Sequence, residues 1–357
     1  RWLVDLDALI DSATKKPLPH DAKARMVLRM MLAQWLRLDT PPHAVLATGL
    51  DLLAGGQRRL AHGVFSTLTK RGDTLPDAPT LPEPVAVRWG ERAPAIAAGL
   101  AEPPPLDLTL RDPADTAQWA VQLSADSLMP GHLRLPRGAN VEKLPGFGEG
   151  AWWVQDIAAS LPARLLGPGE GRHVLDLCAA PGGKTLQLAA QGWQVTALDI
   201  SKRRLDLLKA NLRRTGLKAG AVRADALKWE PKHTFDAILL DAPCTATGTA
   251  RRHPDVLHRI GPQTIEHMAQ LQAALLQRAQ GWLKPGGTLV YATCSLERAE
   301  GEDQAGAVSL TPDPITRDGL PEGVEPGTTG WLRTDPGMLE EHGGLDGFFI
   351  ARWRREL

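Results

Sequence analysis

The sequence predicts an α/β fold with a doubly wound, mostly parallel sheet, preceded by an all-α domain. Short apolar segments alternate with helix-like segments over residues 173–293, which is typical of a parallel sheet with helices on both faces. Ahead of this part, apolar residues within 1–80 recur at helical spacing. A last apolar run, residues 347–353, predicts a strand that adds a C-terminal antiparallel hairpin to the sheet edge.

The composition is that of a globular protein without a bias toward a polyanionic partner. With 357 residues, the chain can hold two or three domains that each bury a core. Lysine plus arginine and aspartate plus glutamate balance at 41 each, so any nucleic-acid site has to be a local basic patch. No apolar run is long enough to span a membrane, and we expect no membrane association.

The cysteine content indicates a reducing compartment. Cys178, Cys244 and Cys294 all lie in the C-terminal half, and an odd count without framework spacing argues against a disulfide scaffold. Zinc needs three or four convergent Cys, His or acidic ligands, and no Cys-x-x-Cys pair is present. We therefore expect a cytoplasmic protein without a bound metal.

The first domain is predicted to be a small helix bundle. Asp21 is placed to cap a helix whose apolar face includes Met26 and Met30, and Gly55-Gly56 is placed to end a later helix. Another helix is expected over residues 59–68. Four basic residues form either a basic face or scattered solvated charges, and the sequence leaves both open: Arg25, Arg29, Lys70 and Arg71.

The middle of the chain is predicted to join this bundle to the last domain. Residues 81–104 are rich in proline and alanine, which is typical of a connector. Residues 105–150 contain strand-like segments at 106–110 and 132–135 around a helix-like segment, so we expect a small α/β subdomain there. The pattern changes again after this stretch, and the last domain is expected to cover residues 151–357.

The last domain carries the alternation that predicts the parallel sheet. An amphipathic helix is expected first, over residues 157–166, and four strands then alternate with three helices. The strands are predicted at 173–177, 195–199, 235–240 and 288–293, and the helices at 184–191, 202–214 and 262–283.

A loop of small residues after the first of these strands is typical of a nucleotide site. The pair Gly182-Gly183 lets the backbone approach a ligand closely, and the helix that follows directs its free N–H groups at the same place. A Walker loop requires glycine where Cys178 stands, and a dinucleotide fingerprint fails at Cys178 and Ala180. We therefore expect a nucleotide-binding loop of another kind.

Two aspartates are candidate contacts for that nucleotide. Asp199 ends the second strand, at the sheet edge and at the sequence distance from the loop where an acidic residue meets a ribose. Asp225 follows a short apolar stretch and is placed to meet an adenine edge. Both also have a structural alternative, because aspartate favours helix N-caps and loops.

The third and fourth strands end in segments that carry a cysteine each. Asp241-Ala-Pro-Cys244 follows one strand, and Cys294 follows the other. Neighbouring strands bring their ends to one rim. A single free cysteine is most often a small buried hydrophobe, but two at neighbouring strand ends favour a soft nucleophile. The basic residues 251–253 are expected close enough to lower the pKa of such a thiol.

Several motifs stand in order along the chain. The last domain holds DLCAAPGGKT at 176–185, DAPCTATG at 241–248, RHPD at 252–255, LKPGG at 283–287 and YATCS at 291–295. Together they resemble the NOL1/NOP2/Sun family of RNA cytosine-C5 methyltransferases, and the resemblance runs from Phe147 to the C-terminus. Upstream, LRLDTPPHA at 36–44 and LAHGVF at 60–65 are similar to a NusB-like domain. That combination resembles the bacterial Sun/Fmu subgroup, which acts on 16S ribosomal RNA.

The resemblance implies a Rossmann-like methyltransferase domain behind a NusB-like domain, with S-adenosyl-L-methionine as the cofactor. It implies that Cys294 is the nucleophile that adds to C6 of cytosine, that Cys244 acts in product release and that Asp241 contacts the base and stabilises its charge. The residues that it implies for the cofactor site are Cys178, Ala179, Ala180, Pro181, Gly182, Gly183, Lys184, Asp199, Asp225 and Asp241.

The implied partner is RNA, and the expected substrate is 16S rRNA before the subunit is fully assembled, because the target base must be unpaired or flipped out. Arg251, Arg252 and His253 are the candidates for phosphate contacts, with a solvated loop as the alternative. We expect a monomer. The same chemistry on tRNA or another RNA and a non-catalytic RNA-binding assembly factor are the alternative functions, whereas Cys178 disfavours a nucleotide hydrolase.

Overall fold

The computed structural model describes residues 1–357 and divides them into two compact units, Arg1–Ala101 and Glu102–Leu357. This division corrects two predicted boundaries, because the helical unit does not end at residue 80 and residues 81–104 are not a plain connector. They contain two short helices that bury apolar side chains, among them Val85, Trp89 and Ile96. Pro82, Pro84 and Pro94 stand at the starts of these helices, where the missing N–H costs no hydrogen bond.

The first unit is built from helices only, as predicted. Its core is formed by apolar side chains from the first four helices, among them Leu28, Val45 and Phe65. The six helices are α1 (Leu3–Ser12), α2 (Lys23–Arg37), α3 (Pro42–Gly49), α4 (Gly55–Arg71), α5 (Glu83–Trp89) and α6 (Ala93–Gly99).

The buried face of α2 differs from the predicted one. Met26 and Met30 are about half exposed, at 48% and 52%, whereas Val27 and Met31 one position later are buried. Asp21 makes no cap either, because the N-cap residue is Ala22 and no side chain accepts a hydrogen bond there. The local spacing fits both faces, and only the position of the neighbouring helices decides between them.

Gly55-Gly56 begins α4 instead of ending the preceding helix, which corrects a second expectation. Helix α3 already ends at Gly49, and a short 3-10 turn follows that buries Leu50. The backbone is extended at Leu53 and Ala54 before α4 begins. Burial of Leu50 and Leu53 therefore sets the break between the helices, ahead of the glycines.

The basic residues of this unit do not form one exposed face. Arg25 is buried and pairs with Asp7 and Asp11 of α1. Arg29 binds the same Asp7 through two hydrogen bonds of 2.7 Å. These two arginines hold α1 against α2, and removing one partner of a buried pair costs about 3–5 kcal/mol.

The second unit starts with a small three-stranded sheet that extends beyond the predicted subdomain. Its central strand pairs antiparallel with both neighbours, in the order β2-β1-β3. The third strand comes from residues predicted to belong to the last domain, so the boundary at residue 150 does not separate independent domains. The elements are β1 (Leu106–Leu110), α7 (Thr116–Leu123), β2 (His132–Leu135) and β3 (Trp152–Val154).

Asp107 of β1 fixes this small sheet to the next helix. Its carboxylate accepts two hydrogen bonds from Arg134 and one from the backbone N–H of Ile157. Burial by itself would raise the pKa of Asp107, but the hydrogen bonds from Arg134 and His132 outweigh it and hold the pKa well below the usual value. The carboxylate is thus charged and anchors the start of the main α/β layer.

The main sheet confirms the predicted fold class. Five parallel strands lie in the order β8-β7-β4-β5-β6, and the antiparallel pair β10-β11 extends the sheet beyond β8. Its elements are α8 (Ile157–Arg164), β4 (His173–Leu177), α9 (Gly183–Ala190), β5 (Gln194–Asp199), α10 (Lys202–Thr215), β6 (Gly220–Arg223), β7 (Phe235–Asp241), α11 (Val256–Arg259), α12 (Pro262–Trp282), β8 (Leu283–Thr293), α13 (Glu302–Ala305), β9 (Thr311–Pro312), β10 (Leu332–Thr334) and β11 (Phe348–Arg354).

The predicted strands and helices of this layer match within a few residues, except that β8 begins at Leu283. The sequence gives no prediction for three short strands, β6, β9 and β10. Strand β6 pairs on one side only and is half exposed, so it lacks the continuous apolar run of an inner strand. No helix of the structure is both long and apolar enough to cross a membrane.

Candidate active site

The loop between β4 and α9, residues 178–182, is shaped by its backbone and will be called the glycine loop. Cys178 has a φ of +61° and Gly182 a φ of +111°, a region that only glycine adopts freely. A Cβ atom at Gly182 would lie 2.9 Å from the side chain of Leu208 in α10. Any side chain at Gly182 would therefore displace the loop from α10.

Asp176 lies under the glycine loop and holds the first turn of α9. It is fully buried, and it accepts a hydrogen bond of 2.5 Å from the hydroxyl of Thr185. Burial raises the pKa of Asp176 to about 7, and the nearby negative charge of Asp241 adds to the rise. The sequence motif contains this aspartate, but nothing local indicates that it supports the loop from below.

Asp199 lies at the end of β5 and accepts hydrogen bonds from two backbone segments, the glycine loop and the start of α10. One carboxylate oxygen accepts a hydrogen bond from Ala180 N in the glycine loop at 3.1 Å, and the other accepts one from Ser201 N at 2.8 Å. Ser201 is the N-cap of α10, with its hydroxyl bonded to Arg204 N. Asp199 is therefore not the helix cap.

Asp199 and Asp225 face one cavity of about 190 Å³, which will be called the aspartate cavity. Apolar side chains form most of its wall, among them Leu198, Ile200 and Pro243. A nucleoside requires this mixture, because the base needs apolar surfaces while hydroxyl and amino groups need acceptors. The donor and acceptor set fits the adenosine part of the expected cofactor.

Lys184 and Asp241 meet on the other side of the glycine loop. The Nζ atom of Lys184 lies 2.9 Å from Oδ2 of Asp241, and it also lies 5.2 Å from the centre of the Phe348 ring. The lysine side chain is 10% exposed and the aspartate 31%. The ion pair thus leaves the Asp241 carboxylate open toward the rim, where a ligand can reach it.

Cys244 and Cys294 come together, as the sequence predicts. Strands β7 and β8 are parallel neighbours, and the two Sγ atoms beyond their ends lie 3.4 Å apart. Cys178 lies apart from this pair, next to the aspartate cavity. Burial, with the charges of nearby aspartates, raises the pKa of the Cys178 thiol to about 12, so this cysteine stays protonated.

A buried carboxylate that the sequence does not single out joins the two cysteine segments. Glu300 is fully buried, and its oxygens accept hydrogen bonds from Thr245 N at 2.9 Å and from the hydroxyl of Ser295 at 2.8 Å. Gln272 Nε2 of α12 donates another at 2.9 Å, and so does the Thr245 hydroxyl. Thr245 follows Cys244 and Ser295 follows Cys294, so Glu300 fixes one cysteine against the other.

The thiol of Cys244 is held in its protonated form. Its hydrogen bond with Cys294 raises the pKa most, and burial and the charge of Glu300 raise it further. The expectation that residues 251–253 lower a thiol pKa at this rim is therefore not met for Cys244. Arg252 is bound elsewhere, to Asp156 at 2.6 Å and to Asp346 at 3.0 Å.

The three residues predicted to contact phosphates, Arg251, Arg252 and His253, differ in their exposure to solvent. Arg251 is buried, at 1% exposed, and donates a hydrogen bond to the carbonyl of Gly343, so it does not reach a phosphate at the surface. Arg252 bridges two carboxylates, as described. Only His253 is exposed. Burial of Arg251 and the ion pairs of Arg252 thus argue against the expected basic patch at the rim, because these side chains hold the loop after β7 in place.

No group of three or more His, Cys, Asp or Glu side chains is arranged to hold a metal ion. The candidate site consists of four parts: the glycine loop, the aspartate cavity, the Lys184–Asp241 ion pair, and the thiols of Cys244 and Cys294. Together they place a cavity with two aspartates next to a pair of thiols and a carboxylate, an arrangement suited to attack by a thiol on an electrophilic ring carbon.

Comparisons with known proteins agree with this arrangement. A family model described as "16S rRNA methyltransferase RsmB/F" matches residues 163–354. Ribosomal RNA small subunit methyltransferase B of Klebsiella pneumoniae is 35% identical to the chain, covering 99% of it and 86% of that protein. The protein of the same name from Salmonella typhi is 36% identical, covering 99% and 87%.

Solved structures are similar as well. A crystal structure titled as a methyltransferase homolog from Pyrococcus horikoshii is 28% identical, with a TM-score of 0.64, and the match covers 81% of this chain and 98% of that one. The crystal structure of NSun6 from the same organism is 23% identical, with a TM-score of 0.65 over 76% and 97% of the two chains. At that identity, the second likeness shows the fold alone.

Proposed function

The chain belongs to the RsmB/F family of 16S rRNA methyltransferases, and we propose that it methylates C5 of a cytosine in 16S rRNA through a covalent cysteine adduct. S-adenosylmethionine is its cofactor. One observation supports the C5 chemistry above all others: two thiols 3.4 Å apart lie at the ends of β7 and β8, and Asp241 ends the first of these strands. Methyl transfer to an amino or hydroxyl group needs no thiol pair.

C5 of cytosine is too weak a nucleophile to take a methyl group unaided. We propose that the Cys294 thiolate adds to C6, which places the electron pair of the ring double bond on C5. When bound, the cofactor would supply an electrophilic methyl group. As C5 bonds to this carbon, the bond from the methyl group to the sulfonium sulfur would break, and the neutral thioether would be the leaving group. The C5 proton passes to a base, the C6–S bond breaks, and Cys294 is regenerated.

Asp241 is proposed to bind the N3 and N4 edge of the base. The Asp241 carboxylate would accept a hydrogen bond from this edge, and the ammonium of Lys184 beside it stabilises the charge that develops when the sulfur adds. The exposed part of Asp241 gives the base access. Because this edge and C6 are hidden in a stacked duplex, the target must be unpaired or flipped out.

Cys244 is proposed to assist release of the product. Its raised pKa keeps the proton on sulfur, and its Sγ lies within hydrogen-bond distance of the Cys294 sulfur. A thiol that donates a hydrogen bond to Cys294 stabilises the sulfur as the C6–S bond breaks. Without it, the adduct would persist.

The cofactor is proposed to place its adenosine part in the aspartate cavity, with ribose hydroxyls at Asp199 and the adenine edge at Asp225. Backbone from residues 178–184 then lies along the remainder of the molecule, because a chain of small residues allows close approach. The NusB-like character of the helical unit and a monomeric state remain predictions. With ribosomal RNA as the substrate, the protein would act in the cytoplasm.

The test is methyl transfer from labelled cofactor to two unmodified RNAs, 16S rRNA and tRNA, followed by bisulfite sequencing for 5-methylcytosine. We expect one cytosine of naked 16S rRNA to be methylated, and therefore to resist bisulfite, and tRNA to remain unmodified. Methylation of tRNA alone would favour the same chemistry on another substrate. Cofactor binding without transfer to either RNA would favour the assembly-factor alternative.

A further inference from the structure

Helix α10 carries an unusual concentration of positive charge in a chain whose net charge is zero. Its 14 residues, KRRLDLLKANLRRT, contain six basic residues and one acidic residue. Three of the basic residues fill the first turn, where the helix dipole favours acidic side chains. Positive charge at this position opposes helix stability, and one of the three residues, Arg204, lines a cleft where a ligand of negative charge would offset that cost.

One side of α10 forms the wall of an open cleft, which will be called the α10 cleft. Arg204, Asn211 and Arg214 line it, Phe147 and Val154 stand among the lining residues from the segment around β3, and its volume is about 360 Å³. Lys184 and Asp241 also line the cleft, so it continues into the place proposed for the target base. A strand of RNA with its cytosine at Asp241 would extend into this cleft.

The charges in the α10 cleft favour an anion. The side chains that line it include three cations and one carboxylate, Asp241, which is already paired with Lys184. Arg204 is 53% exposed, and its nearest carboxylate oxygen, on Asp199, is 3.7 Å away. Arg214 is held by the carbonyls of Phe147 and Trp152, with its guanidinium 4.2 Å from the Phe147 ring centre.

The glycine loop lines this cleft through residues 179–182, so the remainder of the cofactor would enter it, but the adenosine part does not account for the side formed by α10. The aspartate cavity lies against Leu271 and Leu275 of α12 and shares only Arg204 with the α10 cleft. The adenosine part therefore leaves Asn211 and Arg214 without a ligand. Both residues lie in the second half of α10 and do not line the aspartate cavity, where the ribose would bind Asp199.

We propose that the α10 cleft binds the RNA strand next to the target cytosine, with Arg204 and Arg214 facing its phosphates. The proposal rests on the proposed function, because the cleft is oriented by the position of the target base at Asp241. The partner is single-stranded RNA, whose phosphates pair with guanidinium groups and whose flexible backbone can follow a narrow groove. Phe147 and the exposed Val154 offer an apolar surface to the adjacent base.

The first test compares two variants that add a carboxylate to α10. Asn211→Asp places it in the cleft, and Ala210→Asp places it on the exposed surface about 100° around the same helix. The probe is a short single-stranded RNA with one cytosine, bound in a series of salt concentrations and followed by fluorescence anisotropy. We expect Asn211→Asp to weaken binding about tenfold and Ala210→Asp to weaken it by less than twofold.

The second test compares Arg204→Ala with Arg213→Ala, which removes an exposed charge outside the cleft. We expect only Arg204→Ala to reduce the slope of log affinity against log salt, by about 0.7 if it loses one phosphate contact. Arg204 also donates a hydrogen bond to the Ala180 carbonyl, so Arg204→Ala can disturb the glycine loop. Calorimetric titration with the cofactor alone measures that effect separately from the loss of RNA affinity.

The outcomes separate the cleft from the proposed function. If the wild-type protein forms 5-methylcytosine and Asn211→Asp and Ala210→Asp bind the RNA equally well, the cleft is not the RNA site. A loss of cofactor affinity in Asn211→Asp that equals its loss of RNA affinity would likewise overturn the proposal. Absence of 5-methylcytosine with the wild-type protein would instead contradict the proposed function.

Discussion

The Sγ atoms of Cys244 and Cys294 lie 3.4 Å apart although 50 residues of chain separate the two cysteines. Two hydrogen-bonded loops maintain this distance. Glu300 binds the residue after each cysteine, and Gly248 N, in the Cys244 loop, donates to the carbonyl of Cys294 at 3.0 Å. The fold itself therefore holds the two thiols together at the ends of β7 and β8. Because we propose different roles for them, substitution of each cysteine should have a different effect.

Cys294→Ala should abolish methyl transfer, because the only other thiol at this rim, that of Cys244, is held in its protonated form. Cofactor affinity should remain unchanged, since Cys294 lines neither the glycine loop nor the aspartate cavity. The measurements are transfer of labelled methyl to 16S rRNA and calorimetric titration with S-adenosylmethionine. Full turnover by this variant would remove Cys294 from its proposed role.

Cys244→Ala should trap the protein on its RNA. The adduct still forms through Cys294, but the sulfur loses the thiol that assists its departure. A covalent protein–RNA complex should appear on denaturing gels, and the double variant Cys244→Ala/Cys294→Ala should show none. Normal turnover without a trapped complex would give Cys244 a purely structural role.

Asp199→Ala should weaken cofactor binding about tenfold or more, because a hydrogen bond to a charged group contributes about 1.5–3 kcal/mol. Asp206→Ala is the matched control, since Asp206 is exposed on α10 and lines neither cavity. Calorimetry compares the two. Equal affinities would mean that Asp199 only orders the backbone of Ala180 and Ser201.

Glu300→Gln should lower kcat about tenfold or more while leaving cofactor affinity unchanged. The glutamine amide presents an N–H group where the carboxylate accepts bonds from Thr245, Ser295 and Gln272, so the two cysteine loops lose their common anchor. Glu302→Gln serves as a control, because Glu302 pairs with Arg333 and lines neither cavity. Unchanged kcat in Glu300→Gln would show that the loops hold their geometry without this carboxylate.

Asp346→Asn should flatten the pH dependence of stability. Burial and the charge of Asp156 raise the pKa of Asp346 to about 7, above the ordinary value of 3.8. The folded state thus holds this proton more tightly than the unfolded state, and its contribution to stability is lost as the pH rises from about 4 to 7.

Urea unfolding at pH 5 and pH 8 checks this prediction. The free energy of unfolding of the wild type should fall more between these values than that of Asp346→Asn, by up to about 1.4 kcal/mol for each pH unit below 7. Equal changes would mean that Asp346 is ionised throughout. Asp176, whose pKa is also about 7, titrates in both proteins and therefore cancels.

The parallel layer was open to prediction because its signals are local. An inner strand such as β4 is a short apolar run, and a helix such as α12 repeats its apolar residues at helical spacing. Edge strand β6 lacks that signal because it is half exposed. The predicted face of α2 is one residue away from the buried one, since two adjacent faces of this helix both carry apolar residues and differ only in what packs against them.

The sequence by itself determined the fold class and the family, and it supplied the residues that we propose to react. Motif order and strand-end position suffice for these, because parallel strands always present their carboxyl ends at one edge. The tertiary structure alone decided which charged residues are available. Arg251 and Arg252 lie in or next to a motif but bind Gly343, Asp156 and Asp346. Glu300, Arg204 and Arg214 belong to no motif, yet Glu300 joins the two cysteine loops and the two arginines line the α10 cleft. Burial and ion pairing depend on residues far away in the chain, so only the folded protein reveals them.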